Sequence, residues 1–480
     1  MTKEDVRAIL ADTFSEMSDF TVREVPLPDS PVLIAYFSGF SSKEQIGRFI
    51  VAPLTEASER GQASLPLAAQ ITNAKAEMLA DLDAAKEALL CGSALVFRDG
   101  ETGFGIAVAV KNEEGRSSEE PETETVIRGP HEGFTESAET GAMLLRRRLR
   151  TEKLKRIDLK IGTLSQTEVS VMYLDGIAKQ EAVDEVLRRL RAIETDIVPD
   201  SGAIEQFLQD GRVPLYPTVG NSERPDKVAA KLSEGRNAIL VDGSPVVLTV
   251  PFLFCEALQV AEDYAKSPWY ATFIRILRFC GMILALYLPA FFVALFVRHR
   301  ELLPQNLLGM VEDARESLPF SLFWEVIVIF LIFEIVREVG LRMPKAVGSA
   351  VGLVGSLILG DSAIEAGIAS APVMIVVAFA AVCNFIVPPY MNSNVLYRFS
   401  MIVISGAFGL VGFFAAVVLS LLHMVRKTSF GSPYFSPFAP IDPAGMRDFL
   451  YMAPISEKGR APVSVTGKIV PRGRKKEARR

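Results

Sequence analysis

Val32-Leu-Ile-Ala-Tyr36 and Val169-Ser-Val-Met-Tyr173 are the two stretches on which the reading of the fold turns. Both are short β-rich runs. In each, a glycine stands three residues after the tyrosine, Gly39 in one copy and Gly176 in the other. Ten residues after the tyrosine a helical pattern begins, with Ile46, Phe49 and Ile50 in the first copy and Val183, Val186 and Leu187 in the second. Each copy later reaches an apolar strand closing on Asp-Gly, Asp99-Gly100 and Asp242-Gly243, and a second apolar strand follows. Asp-Gly between strands predicts a hairpin with both central residues at positive φ. The repeat therefore predicts two related α/β subdomains, roughly 20–110 and 160–250.

Charge is distributed unevenly around this repeat. Residues 1–270 carry 30 Lys/Arg against 44 Asp/Glu, residues 271–425 carry 9 against 9, and residues 426–480 carry 12 against 4. Mean hydropathy is positive, +0.27. An acidic front, a charge-poor middle and a basic end predict a membrane protein with a large water-exposed region, which excludes a purely soluble enzyme and an all-helical transporter. The N-terminus has no apolar core of signal-peptide length, so the front region is expected to stay cytoplasmic. Glu113 to Glu124 reads as a solvated loop between the copies. The run Arg146-Arg-Arg-Leu-Arg150 suggests either an anionic partner or, preferred here, a solvated helix face among acidic neighbours.

The middle region offers five apolar stretches: Phe279 to Val297, Phe320 to Val336 with Glu325 and Glu334, Ala346 to Gly360, Ala366 to Tyr397 broken by Pro388-Pro389, and Phe399 to Val425. Basic residues at 337–345 and after 425 belong inside the cell. With both ends inside, the crossings are even in number, so the expectation is four full spans plus a short re-entrant or half-helix made by the 15-residue stretch. The expected boundaries are 1–120 and 121–265 for the two α/β subdomains, 266–425 for the helical membrane domain and 426–480 for a basic cytoplasmic tail. In the short stretch Gly348, Gly352 and Gly355 share a helical face, and Asp361 and Glu365 follow one turn apart. Two placements are open for these acids, a headgroup-level loop or an ion pathway. Glu325 and Glu334 are nine residues apart and fall on opposite helix faces.

Catalytic and cofactor chemistry finds little support. Cys91, Cys255, Cys280 and Cys383, and His131, His299 and His423, are scattered without ligand spacing, so no metal, cofactor or thiol nucleophile is expected. Glu132, Glu136 and Glu223 are the candidate acids of a membrane-anchored enzyme, a reading weaker than solvated surface or capping groups.

Longer motifs carry a resemblance: Gly129-Pro-His-Glu-Gly-Phe-Thr-Glu-Ser137, Glu223-Arg-Pro-Asp226, Arg342-Met-Pro-Lys345 leading to Gly360-Asp361, and Ser429-Phe-Gly-Ser-Pro-Tyr-Phe-Ser-Pro-Phe-Ala-Pro440. In this order, from about residue 15 to 455, they resemble the A subunits of GerA-type spore germination receptors. The family commonly has Arg where His131 stands and Thr where Ser222 stands. The resemblance implies a two-part cytoplasmic domain, residence in the inner membrane of a bacterial endospore, and no catalytic chemistry. It implies a homo-oligomer, a pentamer, forming a channel for monovalent cations. It also implies a transporter-like B subunit and a lipoprotein C subunit as partners, contact with membrane lipid, and no nucleic acid. A sporulation paralogue that amplifies ion release is the alternative within the family. Pro130, Gly133, Arg224 and Pro225, with Gly129, Glu132, Phe134, Glu223 and Asp226 around them, are expected to fix joints between subdomains or protomers, since Pro removes backbone freedom and Arg pairs bidentately with carboxylates. Gly348, Gly352, Gly355, Asp361 and Glu365 are the expected pore elements.

Overall fold

The computed structural model describes residues 2–27, 30–62, 65–100, 103–112, 120–121, 123–124, 126, 129–211, 215–342, 360–454 and 463–467. Ten strands build two antiparallel sheets. The first holds β1 (Phe20–Val25), β2 (Val32–Phe37), β3 (Ala76–Leu79), β4 (Ser93–Phe97) and β5 (Gly105–Ala109). The second holds β6 (Leu154–Ile161), β7 (Thr167–Leu174), β8 (Gly220–Ser222), β9 (Asn237–Val241) and β10 (Val247–Val250). Spatial order is β1-β2-β4-β5-β3 in one and β6-β7-β9-β10-β8 in the other, the same topology twice. Register repeats as well. Three residues before each tyrosine, Leu33 pairs with Phe97 and Ser170 with Leu240. Gly39 and Gly176 both sit at φ 76°, and Gly100 and Gly243 at φ 90° and 86°, a left-handed backbone that glycine adopts without a Cβ penalty. Asp99 and Asp242 keep negative φ, so only the glycine of each pair is left-handed and the turn is not the doubly left-handed type.

Strands β2, β4, β7 and β9 are buried on both faces, which is why they read as continuous apolar runs rather than alternating ones. The inner faces share one core. Leu33, Ala35, Phe37 and Phe97 of the first sheet meet Met172, Leu174 and Leu240 of the second through the helices Leu82–Leu90, Ala138–Arg148 and Pro225–Ser233. The outer faces stay separate, one under residues 43–59 and one under the helices Gln180–Arg191 and Ser201–Leu208.

The weld between the two units passes through the arginine run. Arg147 and Arg148 do lie near the surface and pair with Glu132 at 3.3 and 2.6 Å. Arg146 does not. It is 2% exposed, takes both carboxylate oxygens of Asp19 at 2.5 and 2.7 Å, and stacks its guanidinium over Phe37 at 4.5 Å. Lys155 donates to the Ser15 carbonyl at 2.7 Å and Tyr173 to Glu16 at 3.1 Å, across the same seam.

Among the described residues, Pro268–Arg298 is a single helix long and apolar enough to cross a membrane, and Pro388–Arg426 is as apolar but is not one continuous helix. The first starts eleven residues before the expected Phe279. Arg275 and Arg278, which look like its polar flank, instead fold back onto Asp263, at 3.0 Å and at 2.7 and 2.8 Å. Leu322–Arg342 follows, then residues 360–365 and Ala371–Asn384. The expected 32-residue span is thus a 14-residue helix, a break before Pro388-Pro389, and a new helix from Met391. Gly348, Gly352 and Gly355 lie outside the described residues.

Met391–Arg426 is a hairpin of two helices, because Gly409 at φ 63°, ψ −143° reverses the chain. A straight helix of that length would span about 54 Å. Yet both ends meet Tyr216: its ring stacks on Tyr397 at 4.7 Å and edge-on against Tyr390 at 5.4 Å, while Lys427 donates to its carbonyl oxygen. Ile404 and Ala416 accordingly line one groove, as do Ser400 and Leu419. Arg398, expected as the boundary before a final span, lies inside the first arm and is 1% exposed.

Candidate signalling junction

The loop that links the sheets is tied to the start of helix Pro225–Ser233. Arg224 precedes Pro225, whose fixed φ suits the first helical position. The Arg224 guanidinium is buried and holds both oxygens of Asp226, at 3.1 and 2.8 Å. It also donates to the Glu124 carbonyl at 3.4 Å. Glu223 receives the backbone N–H of Thr123 at 3.2 Å and its hydroxyl at 2.8 Å, and its own carbonyl accepts from Phe134 N–H at 2.8 Å. Gly129 at φ 148° lies beside the Arg224 guanidinium, and Phe134 enters the shared core. Burial raises the Glu124 carboxyl, but Lys227 and Ser222 outweigh it and hold it below the usual range. Pro130 is exposed. Gly129, Phe134, Glu223, Arg224 and Asp226 are thus brought together, fastening the linking loop to the second subdomain, whereas Glu132 turns to Arg147 and Arg148, and the Asp19–Arg146 pair crosses the seam between subdomains.

A second cluster joins the sheets to the first long helix. Glu256 accepts from Arg236 Nε and from Leu253 N–H, both at 2.9 Å, and pairs with Lys231 at 3.1 Å. Lys231 also donates to Thr249 at 2.8 Å. Burial pushes the Glu256 carboxyl up, and the Arg236 and Lys231 cations more than reverse it. Burial lowers the Lys231 ammonium, with Glu256 opposing. Asp263, 1% exposed, takes Arg275 and Arg278, and Arg275 reaches on to Asp448 at 3.0 Å. Burial raises the Asp263 carboxyl, but the hydrogen bonds and charge of Arg278 and Arg275 outweigh it and leave it below its ordinary value. Lys231, Glu256, Tyr264 and Asp448 line a cavity of about 400 Å³ between these groups.

The third part is aromatic. Residues 427–454, past the last long helix, pack back between the two halves. Ser429 Oγ accepts from Phe252 N–H at 3.0 Å, and the Tyr434 carbonyl accepts from Phe254 N–H at 2.9 Å. Tyr390 and Tyr434 hydroxyls meet at 3.0 Å over the Phe254 backbone. Burial lowers the Lys427 ammonium to about 8, with Asp210 opposing.

Among the acids of the apolar half, Glu325 is fully engaged. It accepts from Ser370 N–H and Oγ, both at 2.6 Å, and from Arg315 at 2.9 Å, and its side chain is 0% exposed. Glu334 pairs with Arg337 at 2.9 Å, one turn along its own helix. Asp361 and Glu365 lie one turn apart on residues 360–365, both exposed. Sequence reasoning missed Asp263, Glu256 and Tyr216. No sequence signal marked Asp263, since Arg275 and Arg278 in front of an apolar run read equally well as its solvated basic flank.

A family model described as "Bacillus/Clostridium GerA spore germination protein" matches residues 8–464. The chain is 36% identical over 450 residues to the uncharacterized membrane protein YfkQ of Bacillus subtilis (strain 168), covering 92% of this chain and 87% of that one. It is 35% identical over 470 residues to spore germination protein KA of the same strain, covering 95% and 86%. Among solved structures, the N-terminal domain of the A subunit of the Bacillus megaterium spore germinant receptor GerK3 is 26% identical, with a TM-score of 0.40, over 53% of this chain and 96% of that domain. With one family model spanning nearly the whole sequence and relatives of this identity over nine-tenths of it, the chain belongs to the GerA spore germination protein family.

Proposed function

We propose that the chain is the A-type subunit of a nutrient germinant receptor in the spore inner membrane, with the sheet half and both termini facing the spore core. Copies of it surround a cation pathway, and B- and C-type subunits complete the receptor. The observation that carries the pathway is the contrast among the four acids within or directly after the apolar stretches 320–336 and 346–360: Glu325 is spent on Arg315 and Ser370, Glu334 on Arg337, while Asp361 and Glu365 stay exposed on one short helix. In a symmetric oligomer one exposed acid per copy becomes a ring of negative charge, which concentrates cations. The three-part junction supports transmission, because it attaches the sheets to the first membrane helix at Asp263 and to the hairpin at Tyr216.

The test measures germinant-triggered cation release from spores, normalised to receptor abundance. Asp361→Lys with Glu365→Lys is expected to cut release per receptor at least tenfold. Glu325→Gln is expected to lower abundance, because it removes the buried charge that pairs with the half-buried Arg315, while release per receptor stays near wild type. Unaltered release in the double lysine variant removes residues 360–365 from the pathway.

A further inference from the structure

Between the sheet half and the helices lies a cavity of about 360 Å³ that none of the charged contacts enters. Its walls come from five parts of the chain. Tyr216 and Phe254 form the floor, Met282 stands on the first long helix, Asn394 on one arm of the hairpin, Met424 on the other, and Phe435 on the returning segment. Ile283 and Phe414 also line it and are 37% and 58% exposed, so it opens on the flank between the first long helix and the second arm. Every lining residue is uncharged, and a charged ligand would be buried there without a counter-ion. One polar group is left over. Tyr216 is 1% exposed and its hydroxyl has no hydrogen-bond partner, whereas the Tyr287 hydroxyl is shared with Ser420 at 3.0 Å. A buried hydroxyl is normally satisfied, so this one marks a place for an oxygen that accepts its hydrogen.

We propose that this cavity binds a neutral amphiphile, an apolar body carrying one hydroxyl or carbonyl oxygen, with that oxygen accepting from Tyr216 Oη–H. The volume is that of a small-molecule site, and the mouth faces the surface that the proposed function places in lipid. Entry from the bilayer rests on that reading; the cavity and its chemistry do not. An occupant touches all five parts at once, so it favours whichever arrangement of sheets and helices fits it best.

The probe is a photoreactive 1-octanol bearing a diazirine on its chain, added to the full chain in phosphatidylethanolamine–phosphatidylglycerol nanodiscs, with labelled residues mapped by mass spectrometry. Saturable labelling confined to residues 279–287 and 413–424, competed by 1-decanol, is expected. Tyr216→Phe should raise the half-saturating concentration about fivefold, the usual value of one hydrogen bond. Ile283→Trp, which fills the mouth, should abolish the saturable part without changing thermal unfolding. Extraction of the purified protein separates the sources: a neutral lipid recovered one per chain and lost in Tyr216→Phe, or a site filled only by added alcohol, both support the assignment. Labelling that never saturates, that spreads equally to Trp269 and Phe408, or that ignores both substitutions overturns it. Because no ion flux is read, failure of the channel reading leaves this result standing.

Discussion

Asp19 and Arg146 sit 127 positions apart, both nearly closed to solvent, and meet through two parallel hydrogen bonds. Removing one member of such a pair leaves the other charge buried alone, which costs about 3–5 kcal/mol. Arg146→Ala should therefore lower the stability of the sheet half by about that amount, and Arg146→Lys should recover only part of it, because an ammonium cannot make the parallel pair. Arg148→Ala, whose side chain is more open, should change stability by about 1 kcal/mol or less. Chemical denaturation of the purified chain checks this; equal losses for the two alanine variants would show that the pair does not hold the seam. In the sequence the four arginines look alike. Only helix phase separates them, since Arg146 continues the stripe of Ala138 and Ala142 at four-residue steps. Asp19 has no such marker, so the partner could not be read from sequence.

Three glycines near the hairpin tip act for different reasons. A Cβ at Gly406 would strike the Phe323 ring at 2.4 Å, and one at Gly412 would strike the Ile404 carbonyl oxygen at 2.8 Å. At Gly409 the backbone itself is left-handed, and a Cβ would meet His299 Nε2 at 2.7 Å. At φ 63°, ψ −143° the backbone lies in a region kept almost to glycine and costs a residue with a side chain about 1–3 kcal/mol before any clash. Gly409→Ala should loosen the tip. A disulfide between cysteines introduced at 404 and 416, which line one groove, should form several-fold more slowly with Gly409→Ala than with Gly409 in place. No change in rate would mean the arms are held elsewhere. Pro388-Pro389 advertised its break in the sequence, because proline removes a donor and disfavours helix before it. Gly409 did not, as nothing local distinguishes it from Gly406 or Gly412, and a continuous apolar run conceals a reversal. The same blindness placed Arg398 at a boundary when it is interior.

Over the whole molecule, the duplication was legible because it rests on local spacing, strand to glycine to helix. The junction was not, because its contacts join positions such as Arg275 and Asp448, 173 residues apart. These ion pairs make the attachment of the two halves pH-dependent. Glu256 and Asp263 both have carboxyls held below their ordinary values in the fold. Their contribution is therefore complete above the unfolded values of about 4, and is lost as pH falls through the lower folded values. Hydrogen exchange of residues 254–278 should be insensitive to pH, after correction for intrinsic rates, between 7 and 5 and should rise steeply below about 4. Asp263→Asn should show the faster exchange already at pH 7. Exchange that is the same in both proteins at neutral pH would exclude Asp263 as the anchor.

The hairpin's arms, 391–408 and 410–426, both have their ends away from the tip beside Tyr216, one at its ring and the other, through Lys427, at its carbonyl oxygen. Geometrically that makes it a lever with a single fulcrum, each arm about 26 Å long. A tilt of about 5° at Tyr216 carries the tip through about 2 Å, as far as helices move in many subunit-interface transitions. Small adjustments of the sheets would thus emerge, magnified, beside Arg298 and His299 at the far end.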